Sequence, residues 1–256
     1  MGRFHEQVAV ITGGTTGIGL ATAHALAAAG AEVVLAGRDA GRGEQAAADI
    51  NRRGGRARFI RTNVADDGQV ASLAERAAHE QDRIDIWFNN AGVEGGIGPL
   101  SEFDDATVRT LLDTNVKGVY SGMRHALRHM TGGGVIINNA SFVGTKVPVP
   151  VAVAYGATKA AVVSMTRSAA AGLEDKGVRV FAICPWIVDT PMVDRLTGGG
   201  TPEDKARFAE AFAPSGRLTP PEEIADVVLE LCNGNRTTAR TGDALLIDAG
   251  RTITTL

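Results

Sequence analysis

Residues 8–19 read Val8-Ala9-Val10-Ile11-Thr12-Gly13-Gly14-Thr15-Thr16-Gly17-Ile18-Gly19. Val8 to Thr12 has the length and apolar continuity of a buried strand, the glycines permit a tight turn, and the alanine-rich stretch from Leu20 to Ala29 reads as a helix. Strand, glycine turn and helix in that order make a cradle for phosphate. Unpaired N–H groups and the positive end of the helix dipole face an anion where the backbone can approach it closely.

Working outward, Glu32-Val33-Val34-Leu35-Ala36 reads as a second strand, followed by Gly37-Arg38-Asp39 and a helix from Gly43 to Arg53. The end of the second strand is where a dinucleotide-binding unit meets the adenosine ribose. An acid there accepts a hydrogen bond from the 2′-hydroxyl, whereas an arginine accommodates a 2′-phosphate. Arg38 therefore favours NADP(H), and Asp39 keeps NAD(H) open. Further strands are expected over Arg58–Arg61, Ile84–Phe88, Gly134–Asn139 and Val178–Ile183, with a last one inside residues 241–250. Asp66 or Asp67 suits the cap of the next helix. Residues 102–129 read as one long helix or a helix pair that contains Asn115, a residue costly to bury unless its amide is satisfied.

Composition bounds the possibilities. The chain has 256 residues, 44% apolar and 21% charged, with a net charge of -3, which fits one large α/β domain and offers no basic footprint for nucleic acid. Cys184 and Cys232 lie far apart, with neither disulfide nor metal spacing. The start of the chain has no leader-like apolar segment and no run is long enough to span a bilayer, so a cytoplasmic protein without membrane attachment is expected. His125 and His129 stand four apart on the predicted helix but lack a third ligand, so they read as surface or subunit-interface residues, and no metal is expected.

Tyr155-Gly156-Ala157-Thr158-Lys159 opens another helix-like run. Four apart on one face, the phenol and the ammonium can share a site, and a nearby cation favours the phenolate and brings a pKa of about 10 toward the working range. Ser141 follows the strand ending at Asn139, at the edge of a parallel sheet where ligands collect.

Thr12-Gly13-x-x-x-Gly17-x-Gly19, Asn89-Asn90-Ala91-Gly92, Asn115, Ser141 and Tyr155-x-x-x-Lys159, in this order, resemble the short-chain dehydrogenase/reductase family over nearly the whole chain. The resemblance implies a Rossmann-type, doubly wound, mostly parallel seven-stranded sheet with helices on both faces. It implies one domain spanning 1–256, with a substrate lid at about 193–216 around Gly198-Gly199-Gly200. The implied activity is hydride transfer between a nicotinamide and a ketone or secondary alcohol, with Tyr155 as general acid/base, Ser141 steadying the carbonyl oxygen, Lys159 lowering the Tyr155 pKa and holding the ribose, and Asn115 completing a proton relay. The cofactor would be held by Gly13, Thr15, Thr16, Gly17, Ile18, Gly19, Arg38, Asn63, Val64, Asn89, Ala91, Gly92, Tyr155, Lys159, Pro185, Val188 and Thr190. Partners would be a small carbonyl or alcohol substrate and other copies of the chain, as a tetramer or dimer. The chain departs from the family pattern at Asn63, where Asp is usual, and at Trp186, where Gly is usual; the indole puts bulk near the expected nicotinamide pocket. The alternative is a dinucleotide-binding regulatory protein on the same fold that turns nothing over.

Overall fold

A computed structural model describes residues 2–96, 98–234, 238–249 and 251–255. Ile97, in the loop that follows Asn89-Asn90-Ala91-Gly92, and Gly250, at the end of the last expected strand, lie outside the described residues. Strands β1 (Val8–Thr12), β2 (Glu32–Gly37), β3 (Arg56–Arg61), β4 (Ile86–Asn89), β5 (Gly134–Asn139), β6 (Val178–Pro185), β7 (Ala244–Asp248) and β8 (Arg251–Thr255) form one sheet in the order β3-β2-β1-β4-β5-β6-β7-β8. The first seven are mutually parallel, as expected. The glycine-ended tail adds what the sequence did not announce, an eighth strand running antiparallel to β7.

The helices are α1 (Gly17–Ala28), α2 (Ala40–Arg52), α3 (Asp67–Ala78), α4 (Asp105–Leu112), α5 (Gly118–Ala126), α6 (Val153–Ala171), α7 (Pro191–Leu196), α8 (Pro202–Phe212) and α9 (Pro221–Asn233). Alternation along the strands divides the core in two. Val8 and Val10 of β1 face a cluster with Leu73 of α3, Val119 and Met123 of α5, and Val162 of α6. Ala9 and Ile11 face the other way, toward Leu26 of α1, Ile50 of α2, and Ile224 and Val228 of α9.

Two local features refine the expectation. Helix α2 starts three residues early, because the Asp39 carboxylate accepts a hydrogen bond from the Arg42 N–H and caps it. The long helix of residues 102–129 is a pair, α4 and α5, joined by a π-helical turn over Asp113–Lys117 that carries Asn115 at its centre.

Strand β1 pairs with β2 on one side and β4 on the other. Chain order reverses there, so a crevice opens at the carboxyl ends of β1 and β4, the place where such sheets bind ligands.

Candidate active site

Gly13 adopts φ 63°, and a Cβ added there would come 2.9 Å from the Ala91 Cα, so only glycine lets the first turn pass the end of β4. Asn90, rather than Asn89, fastens that turn. Its amide donates to the carbonyls of Thr12 and Gly13, at 3.1 Å each, and its oxygen accepts from Asn139 on β5. The Thr12 hydroxyl accepts from the Ala91 N–H.

The Asn89 side chain points away from that turn. Its side chain is buried in the sheet, accepting from Trp87 Nε1 at 2.7 Å and donating to Asn138 at 2.8 Å, and Asn138 in turn donates to Thr166 of α6. The strand alternation that points Asn90 at the loop points Asn89 at α6, which leaves Asn89 only its backbone for a cofactor. Val64 likewise turns its side chain into the core.

Residues Gly17, Ile18 and Gly19 form the first turn of α1. Thr16 is its N-cap residue without a side-chain cap bond, and no acidic residue occupies that turn. These N–H groups fit a pyrophosphate. Thr190, at the start of α7, lies against Gly17, while Pro185 ends β6 and Val188 is buried beside it. At the far end of the crevice Arg38, Arg61, Asn63 and Gln69 line a pocket of about 240 Å³. Asn63 caps its own turn, its oxygen accepting from the Ala65 N–H. Arg61 was missed in the sequence. Parallel register sets it opposite Gly37, and its Nε donates to the Arg38 carbonyl. Thr15 packs beside Gly37 at the same end.

The polar group at the centre comes from three elements. Ser141, beyond the end of β5, is buried, and its Oγ accepts from the Val143 N–H at 3.2 Å. Lys159 of α6 is 5% exposed and donates to the Asn139 carbonyl at 2.7 Å. Asn115 is fully buried. Both its amide hydrogens are taken, by the Val93 carbonyl and the Thr158 hydroxyl, and its oxygen accepts from the Val93 N–H. It therefore ties the loop after β4 to α6.

Burial decides the titration of the pair. It pushes the Tyr155 phenol up to about 12, against a partial lowering by the Ser141 hydroxyl and with a further rise from the Glu94 carboxylate. It pulls Lys159 down to about 8. In the protein by itself loss of hydration is the largest influence on the phenol, and Lys159 Nζ lies over the ring, 5.5 Å from its centre.

Trp186 is held by two neighbours. It stacks on Phe142, with centroids 4.6 Å apart, and its Nε1 donates to the Phe212 carbonyl at the end of α8. Leu100 and Val151, on the two neighbouring loops, and Val153, the first residue of α6, are exposed apolar residues, and the Gly98 N–H donates to the Val151 carbonyl to join the loops. His125 is buried rather than on the surface, 3.1 Å from Asp67. Among the described residues no cluster of His, Cys, Asp or Glu could hold a metal ion.

A parallel sheet with a glycine cradle at its reversal point, facing a Ser-Tyr-Lys group, defines a nicotinamide-dependent oxidoreductase. Residues 13–252 match the family model described as "Enoyl-(Acyl carrier protein) reductase". The chain is 39% identical over 251 residues to cis-4-hydroxycyclohexanecarboxylate dehydrogenase of Sinomonas cyclohexanicum, covering 97% of this chain and 98% of that one. It is 31% identical over 254 residues to cyclopentanol dehydrogenase of Comamonas testosteroni, covering 98% and 99%. A short chain dehydrogenase from Burkholderia cenocepacia J2315 in complex with NADP superposes with a TM-score of 0.87 at 30% identity, over 97% of this chain and 98% of that one. The chain belongs to the short-chain dehydrogenase/reductase family. It is an NAD(P)-dependent oxidoreductase of the secondary alcohol and ketone type, acting on a small molecule.

Proposed function

We propose that the chain interconverts a ring ketone and the corresponding secondary alcohol with NADP(H), using Tyr155, Ser141, Lys159 and Asn115. The observation that carries the reading is the Tyr155 phenol, held protonated by burial beside the Ser141 hydroxyl. The bound nicotinamide supplies or accepts the hydride at the substrate carbon. In reduction Tyr155 gives its phenolic proton to the carbonyl oxygen, and in oxidation it takes that proton back. Ser141 donates a hydrogen bond to the same oxygen and steadies the charge that develops there. Lys159, fixed by the Asn139 carbonyl and lying over the Tyr155 ring, is the group that would hold the cofactor ribose and help reprotonate the phenol.

Preference for NADP(H) rests on Arg38 and Arg61 at the ribose end, together with the engagement of Asp39. That carboxylate caps α2 and pairs with Arg42, so it faces away from the role of a 2′-hydroxyl acceptor. A ring substrate is supported by the apolar rim of Leu100, Val151 and Val153 and by the ring alcohols named for the two dehydrogenase relatives. Residues 193–216 act as the lid within a single 1–256 domain. Gly198, Gly199 and Gly200 all take positive φ between α7 and α8, the backbone freedom a hinge uses. The exposed Leu112 and Tyr120 on α4 and α5 fit burial against a second copy, as a dimer or tetramer. A cytoplasmic location accords with the absence, among the described residues, of a helix long and apolar enough to cross a membrane.

The test is initial rates of NADPH and NADH oxidation across cyclopentanone, cyclohexanone, open-chain ketones and 3-oxoacyl thioesters. Highest kcat/KM with a ring ketone and NADPH supports the reading; faster turnover of the thioesters, or NADH preferred, contradicts it.

A further inference from the structure

The ion pair between Glu94 and Arg195 has no part in the roles above. Glu94 lies in the loop after β4, two residues beyond Gly92, where an added Cβ would sit 3.5 Å from Lys159 Nζ. Val93, between them, is pinned through both backbone groups to Asn115. Arg195 belongs to α7, beyond the end of β6. Its guanidinium grips the carboxylate with two N–H groups, Nε to Oε1 at 2.5 Å and Nη2 to Oε2 at 3.0 Å. The side chains differ in exposure, 16% for Glu94 and 57% for Arg195, so the carboxylate is the inner member. Burial works to raise the Glu94 carboxyl, yet the Arg195 guanidinium outweighs it and holds it below its ordinary value. Its charge also reaches inward as far as the Tyr155 phenol.

A guanidinium engaged on both arms by the chain's own acid has little left for a second carboxylate. A substrate that passes the exposed Arg195 comes to rest beside the inner, negative member, whose charge reaches Tyr155. We propose that the Glu94–Arg195 pair is a charge filter, making the site select neutral ring ketones and alcohols over rings that carry a carboxylate. This rests on the reading of Tyr155 and Ser141 as the reacting centre. The ring named for the Sinomonas relative bears an acid group; in this chain Glu94 already occupies the arginine that could receive one. Among preformed elements the pair also spans the loop and α7, so the filter acts where the two close on the substrate.

The experiment uses the full chain with NADPH and two probes that differ by one charge and one methyl group, 4-oxocyclohexanecarboxylate and its methyl ester, and reads how the variants move the acid-to-ester ratio of kcat/KM. The wild type is expected to favour the ester by on the order of tenfold, the scale of one like-charge contact at a partly exposed site. Glu94→Gln, which frees the guanidinium, should raise the ratio by on the order of tenfold, and Arg195→Gln should lower it. Opposite movements of one ratio distinguish a filter from a loosened lid, and ester turnover reports that each variant is folded. A wild type that favours the acid, or variants that leave the ratio unmoved or shift it the same way, overturns the filter alone. No turnover of either ring by any of the three proteins overturns the reading of the site, and the filter with it.

Discussion

Lys159 Nζ donates to the Asn139 carbonyl at 2.7 Å while lying 5.5 Å from the centre of the Tyr155 ring. The ammonium is thus anchored to β5 and stands against the face of the ring. In that position its own ionisation is governed by burial.

The first expectation concerns stability against pH. Lys159 is lowered to about 8 in the folded protein from 10.5, so the unfolded chain binds this proton more tightly. Stability from this residue is therefore least at low pH and rises as pH climbs from about 8 toward 10.5. Denaturant unfolding of wild type and Lys159→Met at pH 7, 8, 9 and 10 should show the difference shifting toward the wild type, by up to about 3 kcal/mol over the whole window. A pH-independent difference would mean that Lys159 stays charged when folded. Tyr155, raised to about 12, contributes with the opposite sign and only above pH 10.

A second expectation concerns the two arginines at the ribose end. Arg38→Ala and Arg61→Ala should each lower kcat/KM for NADPH by roughly tenfold or more, the scale of a lost charge-assisted hydrogen bond, with far smaller effects on NADH. Equal losses with both cofactors would remove the 2′-phosphate from the account.

Third, Asn138→Ala deletes the acceptor of the Asn89 amide and the donor to Thr166 inside the sheet. Leaving the Asn89 amide unpartnered should cost about 1–3 kcal/mol, read as a lower urea midpoint. An unchanged midpoint would show the network to be stability-neutral.

Much of this architecture was legible in the chain because it is local. The apolar run of β1, the glycine turn and the four-residue step from Tyr155 to Lys159 each announce themselves within a few residues. What escaped depends on partners distant in sequence. Arg61 joins Arg38 only through the register of β2 and β3, and Asn89 is turned away from Asn90 by the side a strand residue faces. Glu94 and Arg195 are separated by 101 positions. The bulk of Trp186 is visible in sequence, whereas its stacking on Phe142 is not. The rise of the Tyr155 pKa has the same origin: charge can be read from spacing, but burial requires the fold.

The Trp186 contacts give a fourth expectation. Trp186→Gly removes the stack on Phe142 and the donor to the Phe212 carbonyl. Losing an aromatic pair worth about 0.5–1.5 kcal/mol should loosen α8, raise KM more than it changes kcat, and speed proteolytic cleavage within residues 193–216. Unchanged cleavage there would show that the indole does not anchor the lid.

The central claim is that Tyr155 transfers the proton. The direct measurement is single-turnover reduction of a ring ketone by Tyr155→Phe, alongside NADPH binding by fluorescence. The account predicts a loss of about 100- to 10,000-fold in the chemical step, the usual contribution of a positioned acid, with NADPH affinity changed by no more than a few-fold. A variant that keeps the wild-type rate would contradict it.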